Sequence, residues 1–212
     1  MKLIDCPEWK NDDNSALPDI ASAGFSFFKF MERQNPKRYV LNHGDLKAWH
    51  KKLFENCVPV HYYAGNYRQN DPNKPCLQEN VGVAGIPGAH FDEVDDQMRH
   101  FSDDLAKNTL STDQFLGAEV SPVTRVKAAA QLAAFAGGTI IRIHPFLNGN
   151  GRIARLAMNF FLHRYLDKIP FFIDRPKNPN YSIASRIAME SGNFVPLYQY
   201  LVELLAIDYL PK

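Results

Sequence analysis

The sequence predicts a helical fold, and three observations predict it. Apolar residues recur at helical spacing in several separate stretches, a Ser-Pro pair stands where a long helix should begin, and breaks rich in Pro, Asn and Asp separate the stretches. With 212 residues, 45% of them hydrophobic, the chain can bury a sizeable core but is short for two domains of ordinary size, so one domain is the default.

The elements follow in order. The first twenty residues are polar and broken by Pro7, by the run from Asn11 to Asn14 and by Pro18, which predicts an irregular arm. Leu46, Trp49, Leu53 and Phe54 form an apolar stripe, as do Val94, Met98, Phe101 and Leu105; each predicts a core helix. Between them, the Asn, Asp and Pro residues of 69–75 mark a loop. Ser121 and Pro122 read as N-cap and first position of a long helix running through Val126, Ala130 and Phe135, loosened at Gly137-Gly138, with Ile140, Ile141 and Ile143 buried beneath the loop that follows. Ile153, Leu156, Ala157, Phe160 and Phe161 set the next helix, and a break near Pro170 and Pro176 precedes helices around 181–190 and 195–209.

Composition narrows the partners. A formal net charge of +1 carries no footprint for a polyanion, so neither nucleic acid nor a membrane surface is expected as a partner. Cys6, Cys57 and Cys76 are odd in number and widely spaced, which argues against a disulfide framework or zinc cluster and favours a reducing compartment. The first ten residues carry charges within any would-be apolar core and do not read as a signal peptide, and no run approaches 18 uninterrupted apolar residues; the expected location is cytoplasmic.

The chemistry concentrates in residues 144–155, His-Pro-Phe-Leu-Asn-Gly-Asn-Gly-Arg-Ile-Ala-Arg. Gly149 and Gly151 flank Asn150 and allow positive φ, so successive N–H groups can turn inward as an anion-sized concavity. The helix carrying Ile153 starts there, and its N-terminus favours negative charge. Arg152 and Arg155, three apart in the first turn, present forked donors to the same polyanion. Pro145 disfavours the α region at His144 and is expected to hold it in an extended segment facing the cradle. A histidine near its ordinary pKa of about 6.5 beside bound phosphate suggests phosphoryl or nucleotidyl transfer. Outside this context His144 reads as an ordinary loop histidine and Arg152 as a solvated helix residue; His61, His90 and His163 show no ligand spacing.

This segment resembles the Fic motif, HPFx(D/E/N)GNGRxxR, at every signature position. Ala64-Gly65-Asn66-Tyr67-Arg68 resembles the AGxYR stretch that precedes it, and Val81 to Phe91 resembles the β-hairpin flap. The resemblance implies an all-α fold, a Fic-type helical bundle with a small hairpin flap, divided as an arm and leading helix over 1–44 and the Fic domain over 45–209. It implies a protein adenylyltransferase that binds ATP with Mg2+ and moves AMP to a Ser, Thr or Tyr hydroxyl of a target protein. His144 would be the general base and Phe146 an anchor. Gly149, Asn150 and Gly151 would form the nest, Arg152 would hold the β and γ phosphates, and Arg155 would brace the loop or assist. Asn148 would stand at the Mg2+ position, where an amide brings an oxygen but no charge. Val83, Ala84, Gly85 and Ile86 would dock the target by strand addition, and Tyr181 and Glu190 would lie near adenine and ribose.

The self-inhibitory pattern (S/T)xxxE(G/N) has no intact copy: Glu55, Glu79 and Glu190 are preceded four positions back by Lys51, Pro75 and Arg186. A separate antitoxin-like chain, a diverged glutamate or no such restraint remain open, and a homodimer is compatible with the sequence. On the same fold, alternatives are γ-phosphoryl transfer as in Doc kinases, transfer of UMP or phosphocholine, and removal of AMP. From another class comes a weakly active binding module or the toxin of a toxin–antitoxin pair.

Overall fold

The computed structural model describes residues 5–9, 20–22, 24, 26, 27, 29, 39–171 and 176–209, with the backbone alone at 207–209. The run from Asn11 to Asn14, and Pro18, lie outside the described residues; residues 5–9 have no regular structure.

Helix α1 (His43–Phe54) starts at a capping box. The Asn42 side chain accepts from the Gly44 and Asp45 N–H groups while the Asp45 carboxylate accepts from the Asn42 N–H, satisfying donors that the first turn leaves orphaned. It buries Leu46, His50, Leu53 and Phe54. A two-stranded hairpin follows, β1 (Gly82–Val83) antiparallel to β2 (Ile86–Pro87), with Gly82 opposite Pro87 and Val83 opposite Ile86. Both turn residues, Ala84 and Gly85, have positive φ, the twist that two-residue hairpins favour.

Helix α2 (Val94–Gly117) buries the predicted stripe of Val94, Met98, Phe101 and Leu105. Helix α3 (Pro122–Ile143) begins where Ser121 accepts from the Thr124 N–H and Pro122 occupies the first turn. It is the central element, in contact with α2, with α4 (Asn150–Leu166), with α5 (Pro179–Ser191) and with α6 (Val195–Tyr209). Among the described residues it is the helix long and apolar enough to cross a membrane, but two thirds of that span is buried inside the protein, as in a core helix.

Two expectations need correction here. Gly137 and Gly138 do not loosen α3, which continues unbroken to Ile143. They are small because of packing: a Cβ on Gly137 would lie 2.5 Å from the Met158 side chain on α4. The expectation of unpaired cysteines is also overturned, because Cys6 and Cys76 form a disulfide with Cα atoms 5.5 Å apart. It ties residues 5–9 to the loop before the hairpin, and the cysteine argument for a reducing compartment falls with it. Cys57 is free.

At the far end of α4, buried Arg164 donates to the Asp113 carboxylate on α2 and to the Tyr39 carbonyl, the latter at 2.9 Å. The helix is thus fixed at its C-terminal end, and its N-terminus faces the hairpin.

Candidate active site

His144 is the C-cap of α3. Its φ of 54° and ψ of 58° are left-handed, and its N–H donates to Ile140 O at 3.0 Å. The expected extended conformation is therefore wrong: a following proline excludes the right-handed helix, and the residue takes the left-handed alternative, which stops α3 and turns the chain sharply. Such a conformation in a residue with a Cβ is strained and needs surrounding contacts to hold it.

Nδ1 of His144 lies 3.0 Å from the Ile141 carbonyl oxygen, which can only accept. The proton therefore resides on Nδ1, and Nε2 keeps its lone pair. Burial holds the imidazole below its ordinary pKa and the Arg68 guanidinium lowers it further, while the bond to Ile141 opposes them. At neutral pH the ring is uncharged and able to accept a proton.

The loop that follows is locked from beneath. Phe146 is fully buried and stacks on His50, centroids 3.8 Å apart and planes 9° from parallel. The Asn150 side chain accepts from the Phe146 N–H at 2.9 Å and donates to the Phe146 carbonyl at 2.8 Å. Asn150 is thus a clamp through its side chain and a nest residue only through its N–H. The Gly65 N–H donates to His50 Nδ1 at 2.9 Å, so Nε2 bears the hydrogen and donates to the Asn148 carbonyl at 3.0 Å. His50 is pushed down to about 3 by burial and stays neutral.

Gly149, at φ 79°, is the N-cap of α4 and makes no side-chain cap. A Cβ there would stand 2.5 Å from the Phe54 ring, so only glycine fits. Its N–H donates to Asn148 Oδ1 at 2.7 Å, while the Arg152 and Ile153 N–H groups reach its carbonyl. The nest narrows to the first-turn N–H groups of Asn150 and Gly151, which a helix leaves without intrahelical partners.

A cavity of about 570 Å³ opens above this turn. His144 and Ile141 form one side, with Asn148, Gly149, Asn150, Gly151, Arg152 and Arg155 along the floor. Val83, Ala84 and Ile86 of the hairpin form a second wall; Gly85, at the tip, does not line it. Helix α5 supplies the third wall with Tyr181, Ser182, Ile183, Ser185, Arg186 and Met189. Glu190 does not line the cavity and instead accepts from Arg186 at 3.4 Å. Among the described residues three arginines and a helix N-terminus face the space and no carboxylate does, which suits a polyanion.

The fit to a divalent cation is narrow. Among the described residues no group of three His, Cys, Asp or Glu could hold one. Asn148 Oδ1 already accepts from Gly149 and its Nδ2 donates to the Trp9 carbonyl, so Asn148 offers at most one further lone pair. A hard cation could enter only with most of its oxygens brought by a phosphate ligand.

Sequence reasoning did not find three parts of this arrangement. His50 was discoverable as a histidine on the buried stripe of α1, one turn from Leu46. Arg68 was visible only as a motif letter, and the wall of α5 beyond Tyr181 carried no signal.

Comparison with known proteins places this architecture. The Fic/DOC family profile matches residues 40–162, and the chain belongs to that family. Members of this family carry out AMP transfer and related nucleotidyl transfers on target proteins, and some are paired with antitoxins. Among solved structures, the Bartonella tribocorum effector BepC, determined with bound AMPPNP, is 17% identical with a TM-score of 0.59, covering 90% of this chain and 84% of that one. The N-terminal Fic domain of a Bep effector from Bartonella sp. AR 15-3 is 18% identical with a TM-score of 0.63, covering 92% and 80%. A Fic domain containing signaling protein from Bacteroides thetaiotaomicron is 22% identical with a TM-score of 0.60, covering 89% and 70%. At these identities the likeness concerns the fold. No curated protein matches.

Proposed function

We propose that the protein transfers AMP from ATP to a hydroxyl side chain of a target protein. The observation that carries this reading is the neutral His144 ring, its Nδ1 hydrogen given to Ile141 and its Nε2 left basic, in a cavity whose charged lining, among the described residues, is cationic. The triphosphate lies against the N-terminus of α4 with Arg152 and Arg155 on its outer phosphates. A target strand adds to the hairpin edge at Val83–Ile86, backbone to backbone, and presents its Ser, Thr or Tyr hydroxyl to His144. Nε2 takes the hydroxyl proton as the oxygen bonds to the α-phosphorus, the bond from that phosphorus to the β-bridging oxygen breaks, and pyrophosphate leaves carrying the displaced charge. Arginine and N–H donors fixed beforehand at the phosphates offset charge that builds in the transition state. Mg2+ arriving with the nucleotide would neutralise phosphate charge, with Asn148 its protein ligand.

The test incubates the protein with a cell lysate and ATP labelled at the α or the γ position. Label from the α position alone, lost in His144→Ala, is the expected result. Label from the γ position would convert the reading to phosphoryl transfer, and ATP binding without any adduct would convert it to a binding module.

A further inference from the structure

Arg68 is fully buried, yet among the described residues no carboxylate stands within ion-pair distance of it. Burying a guanidinium against neutral partners is costly unless its donors are used, and here four of its five are engaged by backbone carbonyls. Nε donates to His144 O at 2.9 Å, Nη2 to Ile143 O at 3.1 Å and to Ala89 O at 2.8 Å, and Nη1 to Glu79 O at 3.1 Å. Its own N–H donates to Pro145 O at 2.8 Å.

These acceptors belong to two structures that catalysis must keep in register. The Ile143 and His144 carbonyls close α3, where a helix leaves acceptors orphaned and its dipole favours a cation. The Glu79 and Ala89 carbonyls are the two stems of the hairpin. The stems also reach the histidine directly: Ala89 N–H donates to Ile143 O at 3.0 Å, and a Cβ on Gly88 would come within 2.7 Å of His144 Cβ. Left-handed His144 and the hairpin base thus hang from one planar, rigid group.

We propose that Arg68 is a positioning residue: its guanidinium holds the basic imidazole and the target-docking hairpin in fixed relation, so that a hydroxyl delivered by one meets the other. This rests on the AMP-transfer reading above. Arg68 does not line the cavity, so it acts on transfer and not on nucleotide affinity.

The test compares wild type with Arg68→Met, which fills the space without donors, and Arg68→Lys, which keeps the cation but cannot span four carbonyls. Three quantities are read: ATP affinity by calorimetry, α-label incorporation in lysate, and the titration of the His144 ring by NMR. The charged groups around that ring are Arg68 behind it and Arg152, Arg155 and Arg186 along the cavity. Expected in Arg68→Met is roughly a hundredfold loss of labelling, the scale of a misplacement of about 1 Å. ATP affinity stays within about threefold, and the His144 midpoint moves up as a neighbouring cation is removed. Arg68→Lys should lose labelling by about tenfold or more while its midpoint stays near that of wild type. Labelling within about threefold of wild type in a folded variant, or ATP affinity falling in parallel with labelling, overturns the proposal. So does failure of both variants to fold; if Arg68→Met alone fails, Arg68→Lys decides. A wild type that binds ATP and labels nothing rejects the AMP-transfer reading instead. The NMR titration then still judges Arg68, and an unmoved midpoint in Arg68→Met counts against it.

Discussion

The Asn148 side chain donates to the Trp9 carbonyl at 2.9 Å across 139 positions of sequence. Residues 5–9 are thereby tied to the loop that lines the cavity. Trp9 is buried and packs edge-on against His50 and Phe54, centroids 5.7 and 5.3 Å away, and the Tyr63 hydroxyl donates to Pro7 O at 3.1 Å. The Cys6–Cys76 disulfide closes this attachment.

Reducing that bond should therefore weaken both fold and site. A cross-link spanning 70 residues limits the unfolded chain, and its loss typically costs about 2–4 kcal/mol. Cys6→Ser and Cys76→Ser should each lower the thermal midpoint and abolish its dependence on reductant, while wild type shifts down on reduction. A midpoint indifferent to both treatments would show that the non-covalent contacts of Trp9 suffice.

His50 sets an acid limit on stability. Its pKa is lowered from 6.5 to about 3 by burial, so the unfolded chain binds a proton there that the folded chain refuses. Stability from this group is complete above about pH 6.5 and declines as pH falls from there towards 3, by an amount on the order of a few kcal/mol. His144, also lowered, adds in the same direction. The urea midpoint should fall between pH 7 and 4, and fall less steeply in His50→Phe. That variant keeps the stack on Phe146 but strands the Gly65 N–H and Asn148 carbonyl, a loss of roughly 1–3 kcal/mol for each group. Parallel slopes in the two proteins would remove His50 from the account.

The proposed role of His144 as base predicts a pH profile as well as a null variant. Because the ring is held below its ordinary pKa, the acid limb of AMP transfer should have its midpoint below about 6.5 and the rate should be level at neutral pH. His144→Ala should lose about a hundredfold or more in transfer and keep its ATP affinity, since the proposed arrangement rests the phosphates on α4. An acid limb centred above 6.5 would contradict the buried, Arg68-flanked setting.

The distinction between what the sequence revealed and what it hid is physical. Leu46, Leu53, Met98, Phe101 and Leu105 recur with the helix period because one face of each helix must be buried, and the structure buries all five. Ser121-Pro122 announced α3 because capping is local, and residues 144–155 announced the cavity floor because its parts lie close together in the chain. His144 went wrong at the level of two dihedral angles, since a following proline rules out one basin without selecting between the other two. Cys6 with Cys76, and Arg68 with four carbonyls, depend on chain folding over tens of residues. A backbone carbonyl is the same at every position, so no spacing betrays it as a partner.

Asn148 offers a last prediction, in which two roles of one side chain separate. Its amide donates to Trp9 and accepts from Gly149, and brings no charge to a cation. Asn148→Asp supplies the charge and should tighten Mg2+ binding to the ATP complex, because carboxylates are the stronger ligands for hard cations. The same change removes the donor and sets a carboxylate against the Trp9 carbonyl, which should lower the thermal midpoint, by about 1–3 kcal/mol of stability without nucleotide. Calorimetric titration of Mg2+ into the protein with ATP, beside thermal unfolding of the nucleotide-free protein, reads the two effects independently. Tighter Mg2+ with a lower midpoint is the expected pair. Unchanged Mg2+ affinity would mean that the nucleotide phosphates alone hold the metal and that Asn148 serves only to bind the N-terminal segment.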